Sequence, residues 1–164
     1  MTLFEHGSWQ DANVQVSAKI DYALRALIEL AAHDVGRMTR QELAEAQDIP
    51  PRYLEALLGD LRKAGLLFGQ RGSSGGYQLA RPAGEITVAD VARAVDGPLT
   101  LVHGQRPEHR TYTGSSQHLH DLWIGVRAAM RSVMETVTLA DLVSGDLSDD
   151  LRRLIDDPDA QLAR

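Results

Sequence analysis

Arg52, Arg62, Lys63 and Arg71 lie close together in the chain, with Glu55 among them. Guanidinium and ammonium groups suit phosphate oxygens, and a carboxylate can accept from a cytosine amino group in the DNA major groove. Arg71 opens the run Arg71-Gly72-Ser73-Ser74-Gly75-Gly76-Tyr77, a glycine-rich turn that could carry its cation into a narrow, electronegative minor groove. No Gly-Lys-Ser/Thr follows, so the run is not a nucleotide-cradling loop. A second constellation is His103, His109, His118 and His120, with Glu108 and Asp121 beside them. Histidine and carboxylate can hold a divalent metal. However, His118 and His120 stand two apart on an expected helix and point in different directions, and bare clustering is compositional evidence only. Solvated loop histidines are the favoured reading, with no metal site. No Ser-His-Asp order or paired-carboxylate signature stands out, so the sequence makes no case for an enzyme.

These side chains need a frame to present them. Residues 17–33 repeat apolar Ile20, Leu24, Leu27 and Ala31 on one helical face. A second helix starts at Thr39, whose spacing to Glu42 is that of a capping box. It turns Leu43, Ala44 and Ala46 inward and stops near Gln47-Asp48, with Ile49 as an apolar plug. Pro50-Pro51 restarts the chain in a third helix that runs to Ala64, with Gly65 placed to end it. Leu54, Leu57, Leu58 and Leu61 form its buried stripe. Arg52, Glu55, Ala56, Gly59, Arg62 and Lys63 form a polar face of a size to enter a groove about 12 Å wide. Leu66-Leu67-Phe68 and Tyr77-Gln78-Leu79 flank the glycine-rich turn as strands. Capped helix, turn, polar-faced helix and hairpin is the order of a winged helix-turn-helix; the competing reading is a generic helical core with a hairpin. Thr87 then opens a short helix, residues 88–95, ended by Gly97-Pro98.

The 164 residues leave room for one ordinary domain with an added arm. A net charge of −6 at first argues against nucleic acid. Its distribution removes that objection: residues 16–84 hold nine Lys and Arg against eight Asp and Glu, whereas residues 85–164 hold eight against thirteen. The chain has no cysteine, which removes disulfides, thiolate metal sites and cysteine nucleophiles. No apolar run is long enough to span a membrane and no secretory signal is visible, so a cytoplasmic protein is expected.

Residues 99–118 show no period. A long helix, residues 117–137, follows, with Leu119, Leu122, Val126, Met130, Val133 and Val137 at alternating steps of three and four. That seam could pack within the chain, or pair with its copy across a two-fold axis, which the regular spacing favours. The expected division is a flexible extension over 1–15, a winged helix-turn-helix domain over 16–84, an effector loop and dimerisation helix over 85–143, and an acidic tail over 144–164 that includes a short helix near 147–156. The fold class is mainly α with a small β-hairpin wing.

Several segments together resemble the Rrf-type (IscR/NsrR-like) winged helix-turn-helix regulators of bacteria: residues 19–27, Ile49-Pro50-Pro51-Arg52-Tyr53-Leu54-Glu55, Leu61-Arg62-Lys63-Ala64-Gly65-Leu66, the wing over 71–77, and Ile86-Thr87-Val88-Ala89-Asp90-Val91. Thr138-Leu139-Ala140-Asp141-Leu142 is similar to the segment that closes their dimerisation helix. The resemblance implies a homodimeric transcription regulator, most often a repressor, acting on a pseudo-palindromic operator. It also implies that Tyr53, Glu55 and Arg71 stand at positions used for DNA contact. The full expected DNA-contact set is Thr39, Arg52, Tyr53, Glu55, Arg62, Lys63, Arg71, Ser73, Ser74 and Tyr77. Ala56 departs from the longer polar residue of some relatives, so base preference does not carry over. Sensing relatives place three cysteines between 99 and 118; this chain has none, and no iron–sulfur cofactor is expected. That segment is the expected sensing region by position, open to a metabolite, a histidine-bound metal, a partner protein or nothing. A protein-interaction module that has lost DNA binding and a histidine-based metal sensor are the alternative functions.

Overall fold

The computed structural model describes residues 16–33, 36–72, 75–102 and 104–162. The expected flexible extension over 1–15 lies outside them, as do Ser73, Ser74 and His103. The first helix, α1 (Ala18–Ala32), begins at Ser17, whose hydroxyl accepts from the Ile20 N–H. It lies at the centre of the molecule, packed by later helices on several sides, and its buried residues are Ala23, Ala26, Leu27 and Leu30. The expected inward face was Ile20, Leu24, Leu27 and Ala31; of these only Leu27 is fully buried. Alanines take the deepest positions because a helix crowded by neighbours places its smallest side chains where backbones approach.

Helix α2 (Arg40–Gln47) starts with the expected capping box: Thr39 Oγ1 accepts from the Glu42 N–H at 3.2 Å, and Glu42 Oε2 accepts from the Thr39 N–H at 2.7 Å. Leu43 and Ala44 are buried, but Ala46 is exposed. The helix ends at Asp48 in the left-handed region (φ 49°), which turns Ile49 inward to 3 % exposure. Pro50 then caps α3 (Pro51–Lys63). Its four leucines, Leu54, Leu57, Leu58 and Leu61, are all buried as the spacing requires, each contributing about 2 kcal/mol of gross hydrophobic stabilisation. Gly65, at φ 72°, reverses the chain after the helix.

The hairpin pairs β1 (Leu67–Gln70) with β2 (Gly76–Leu79) in the register Leu67 to Leu79 and Gln70 to Gly76. A third segment joins it. Met38 and Tyr77 exchange both backbone hydrogen bonds, at 3.0 and 2.7 Å, so the residues before α2 hold the base of the wing. Gly76 permits this contact. Its φ is 143°, and a Cβ there would stand 2.8 Å from the Met38 carbonyl oxygen.

Helix α4 (Val88–Asp96) is capped by Thr87 and Asp90, and α6 (Leu139–Ser144) by Thr138 and Asp141, in two further capping boxes. Both helices pack on α1. Between them runs α5 (Leu119–Met134), shorter than the expected 117–137. Val137 lies beyond its end, 6 % exposed, and its carbonyl accepts from the Val88 N–H at 2.9 Å. The last α-helix of the described residues is α7 (Asp149–Ile155), followed by one short 3-10 turn.

The capping carboxylates give a pH prediction. Hydrogen bonds from the Thr39 N–H and hydroxyl hold the Glu42 carboxyl below its ordinary range, and Thr138 does the same for Asp141. A folded-state pKa below the unfolded one contributes stability that is present at neutral pH and lost as pH falls through the folded value. The melting temperature should therefore decline below about pH 4.3. Thr39→Ala should lower it by about 3 °C at neutral pH, the scale of a lost cap, and flatten that acid limb, as followed by circular dichroism.

Candidate nucleic-acid interface

One stripe of α3 faces solvent: Arg52, Tyr53, Glu55, Ala56, Arg62 and Lys63 are exposed, and Gly59 is partly so. The four buried leucines fix that orientation, so the exposed face follows from the core. Within the stripe, Gly59 has no structural reason to be glycine, since a Cβ there would meet nothing within 4 Å. A mid-helix glycine costs about 1 kcal/mol relative to alanine. What it leaves is a low point on the helix surface, between Glu55 and Arg62.

The wing base rises beside this face. A cleft of about 390 Å³ runs between the start of α2, α3 and the hairpin, and it brings together Thr39, Arg40, Glu55, Arg62, Arg71 and Tyr77. Five of these were expected contact residues. Arg52, Tyr53 and Lys63 do not line the cleft but share the exposed face of α3. Tyr53 is 38 % exposed and meets Tyr22 of α1 edge to face, with centroids 5.4 Å apart; Arg25 stacks on Tyr22 from 5.3 Å. Its ring is thus braced from behind.

The electrostatics separate committed charges from available ones. Glu55 pairs with Arg40 across α2 and α3 at 2.6 Å, so the expected base acceptor is tied to a neighbouring cation. Lys63 pairs with Asp60 at 3.3 Å, both in solvent; such a pair is worth at most about 1 kcal/mol and yields readily to a phosphate. Thr39 uses its hydroxyl in the α2 cap, both accepting from the Glu42 N–H and donating to the Glu42 carboxylate. Tyr77 is half-buried, its ring 3.2 Å from where a Gly69 Cβ would sit. The side chains of Arg37, Arg52, Arg62 and Arg71 have no hydrogen bond or ion pair among the described residues.

Arg37 and Arg40 escape a reading by periodicity. Arg37 precedes the cap of α2 in what reads as a loop, and only the Met38–Tyr77 bridge brings it to the wing, against Gly76. Arg40 sits on the outer side of a short helix, and its spacing gives no sign of the Glu55 partner.

A family of iron-dependent transcriptional regulators, Rrf2, matches residues 16–145. The chain belongs to the Rrf2 family. It is 44 % identical over 149 residues to a Mycobacterium tuberculosis protein named as an HTH-type transcriptional regulator, covering 90 % of this chain and 92 % of the relative. It is 33 % identical over 135 residues to the transcriptional regulator CymR of Bacillus subtilis, covering 80 % and 91 %. The solved structure of that CymR, a global cysteine regulator, superposes with a TM-score of 0.68 and covers 80 % of this chain and 97 % of its own. IscR of T. potens superposes at 0.66 with 30 % identity, covering 92 % and 93 %. These relatives are transcription regulators, and the Rrf2 chain is read as one and not as an enzyme.

The iron of the family description finds no matching donors in this Rrf2 member. Cluster iron is held chiefly by cysteine thiolate, and the sequence contains no cysteine. Among the described residues no group of three or more His, Asp or Glu side chains is arranged to hold a metal. His118 and His120 both turn toward Asp121, at 4.0 and 3.2 Å, on the exposed start of α5. No helix among the described residues is long and apolar enough to cross a membrane.

Proposed function

We propose that the chain acts as a homodimeric repressor that binds a pseudo-palindromic operator, α3 in the major groove and the wing against the adjacent minor groove. The observation that carries this reading is the set of unpartnered arginines, Arg37, Arg52, Arg62 and Arg71, gathered around α3 and the wing in a chain of net charge −6. Most other arginines of the described chain sit in ion pairs. Charge left unpaired in one region, beside a cleft, suits phosphate. Arg52 and Arg62 would fix α3 on the backbone, Glu55 and its Arg40 partner would face the base edges, and Arg71 would enter the minor groove. Ser73 and Ser74, outside the described residues, complete the proposed wing contact.

Dimerisation is proposed through α5. That helix buries no residue in the isolated chain, and Leu119 and Leu122 are 36 % and 54 % exposed. Val126, Met130 and Val133 are only partly covered, and a helix of this length with a half-covered apolar seam is marginal alone in water. Leu119, Leu122, Val126, Met130 and Val133 form the face offered to a second copy, with half-sites one helical turn or a multiple apart.

Affinity for an operator fragment, found by genome-wide footprinting, should fall steeply with salt. Two protomers with four free arginines each can make about eight phosphate contacts, for a limiting log–log slope of about −7. Arg71→Ala should weaken binding about tenfold or more and reduce that slope by about two per dimer, with an unchanged melting temperature. Binding that ignores salt and survives the loss of Arg71 would end the proposal.

A further inference from the structure

Four arginines converge on one cavity outside the DNA-facing region. It holds about 410 Å³ and lies between α4, the segment after it and α5. Arg93 comes from α4, Arg106 from the segment, and Arg127 and Arg131 from α5; Leu99 and Thr100 supply the rest of the wall. Two carboxylates answer them. Glu135 accepts from Arg93 and, at 2.9 Å, from Arg131, and Glu108 accepts from Arg127. The Arg106 side chain has no hydrogen bond or ion pair among the described residues. Both carboxyls are held below the ordinary range, Glu135 chiefly by Arg131 and Arg93, Glu108 chiefly by a backbone hydrogen bond and then by Arg127. They are ionised at neutral pH, so four cations against two anions leave an excess of two positive charges around the cavity.

Guanidinium groups do not relieve such crowding by losing a proton. They relieve it by binding oxyanions, in forked hydrogen bonds that match carboxylate and phosphoryl geometry. We propose that this cavity is an effector site for a small molecule carrying at least two negative charges on carboxylate or phosphoryl oxygens. A monoanion would satisfy one fork; a dianion can bridge Arg106 and the α5 arginines, with its carbon skeleton against Leu99. The site lies where control would be useful. Arg93 belongs to a helix packed on α1, whereas Arg127 and Arg131 belong to α5, which has no fully buried residue in the chain. Thr100 already touches α5, its hydroxyl donating to the Met130 sulfur at 3.5 Å. An anion held by both helices would set the angle of α5 against the body and hence the spacing of two wings, a consequence that rests on the regulator reading above.

Calorimetric titration of the full chain with citrate, pyrophosphate or acetate, at matched ionic strength and without DNA, tests the site. Citrate or pyrophosphate should bind saturably and acetate should not; whichever binds tighter separates the carboxylate source from the phosphoryl one. Arg106→Ala should weaken that binding about tenfold with an unchanged melting temperature, since Arg106 holds nothing else. Arg131→Ala should weaken it as well. Absence of saturable binding by both polyanions, equal binding of acetate, or undiminished binding in both variants would overturn the proposal. Operator binding measured separately keeps the two readings apart. A chain that takes citrate but no DNA retains the site and loses the regulator, and one that takes DNA but neither polyanion does the reverse.

Discussion

Leu122→Glu combined with Val126→Glu is expected to split the proposed dimer and lower operator affinity about a thousandfold, the scale by which linked binding exceeds that of one module. Both residues stand on the seam of α5, a helix with no buried residue of its own. Leu122 is more than half exposed, so a charge there costs the isolated chain little. Across a two-fold axis the same substitution places like charges opposite one another in an apolar contact, where neither water nor a cation neutralises them. Sedimentation velocity should show monomer at micromolar concentration, with the circular dichroism of the winged domain retained. A double variant that remains dimeric would mean that α5 is not the interface.

Gly76→Val is expected to be the most damaging single substitution in the wing, at about 2–4 kcal/mol and a fall in Tm on the order of 10 °C. The new Cβ would stand 2.8 Å from the Met38 carbonyl oxygen and 3.0 Å from its carbon. Both are backbone atoms of the bridge to Tyr77, so no rotamer change relieves the contact. A φ of 143° also excludes a β-branched residue on its own account. The strand would have to leave Met38, and Arg37 and Arg71 would then lose their shared support. DNA binding should fall further than the loss of stability accounts for, which calorimetry and operator titration on the same sample would separate. Wild-type melting in this variant would refute the steric account.

Much of this architecture is legible in the residues because the controlling signals are local. Thr39 with Glu42 and the leucine stripe of α3 each declare themselves within one or two turns, and the stripe fixes which face of α3 points outward. The family resemblance carried by segments within residues 19–91 and by residues 138–142 agrees with the match over 16–145. The features that spacing does not reveal have a common cause, namely pairing at a distance. The Met38–Tyr77 bridge is one residue long and has no period. Arg40 and Glu55 meet only because α2 crosses α3. Spacing extends α5 too far because apolar Val137 continues the seam, although it serves the contact with Val88 instead. Ala23 and Ala26 do not stand out because hydrophobicity ranks them below Leu24, while close helix packing ranks them above it.

The division between spent and unspent arginines also bears on how the molecule meets a duplex before any specific contact forms. Residues 37–71 carry four unpaired cations, while the excess acid resides in residues 85–164. Such a chain is an electric dipole in solution. A polyanion turns it as it approaches and repels it when the acidic part leads, so more of its collisions begin with α3 and the wing foremost. The same acid weakens loose, misoriented sticking to the great excess of irrelevant sequence. The negative overall charge that at first argues against nucleic acid thus serves as a filter on the direction of approach.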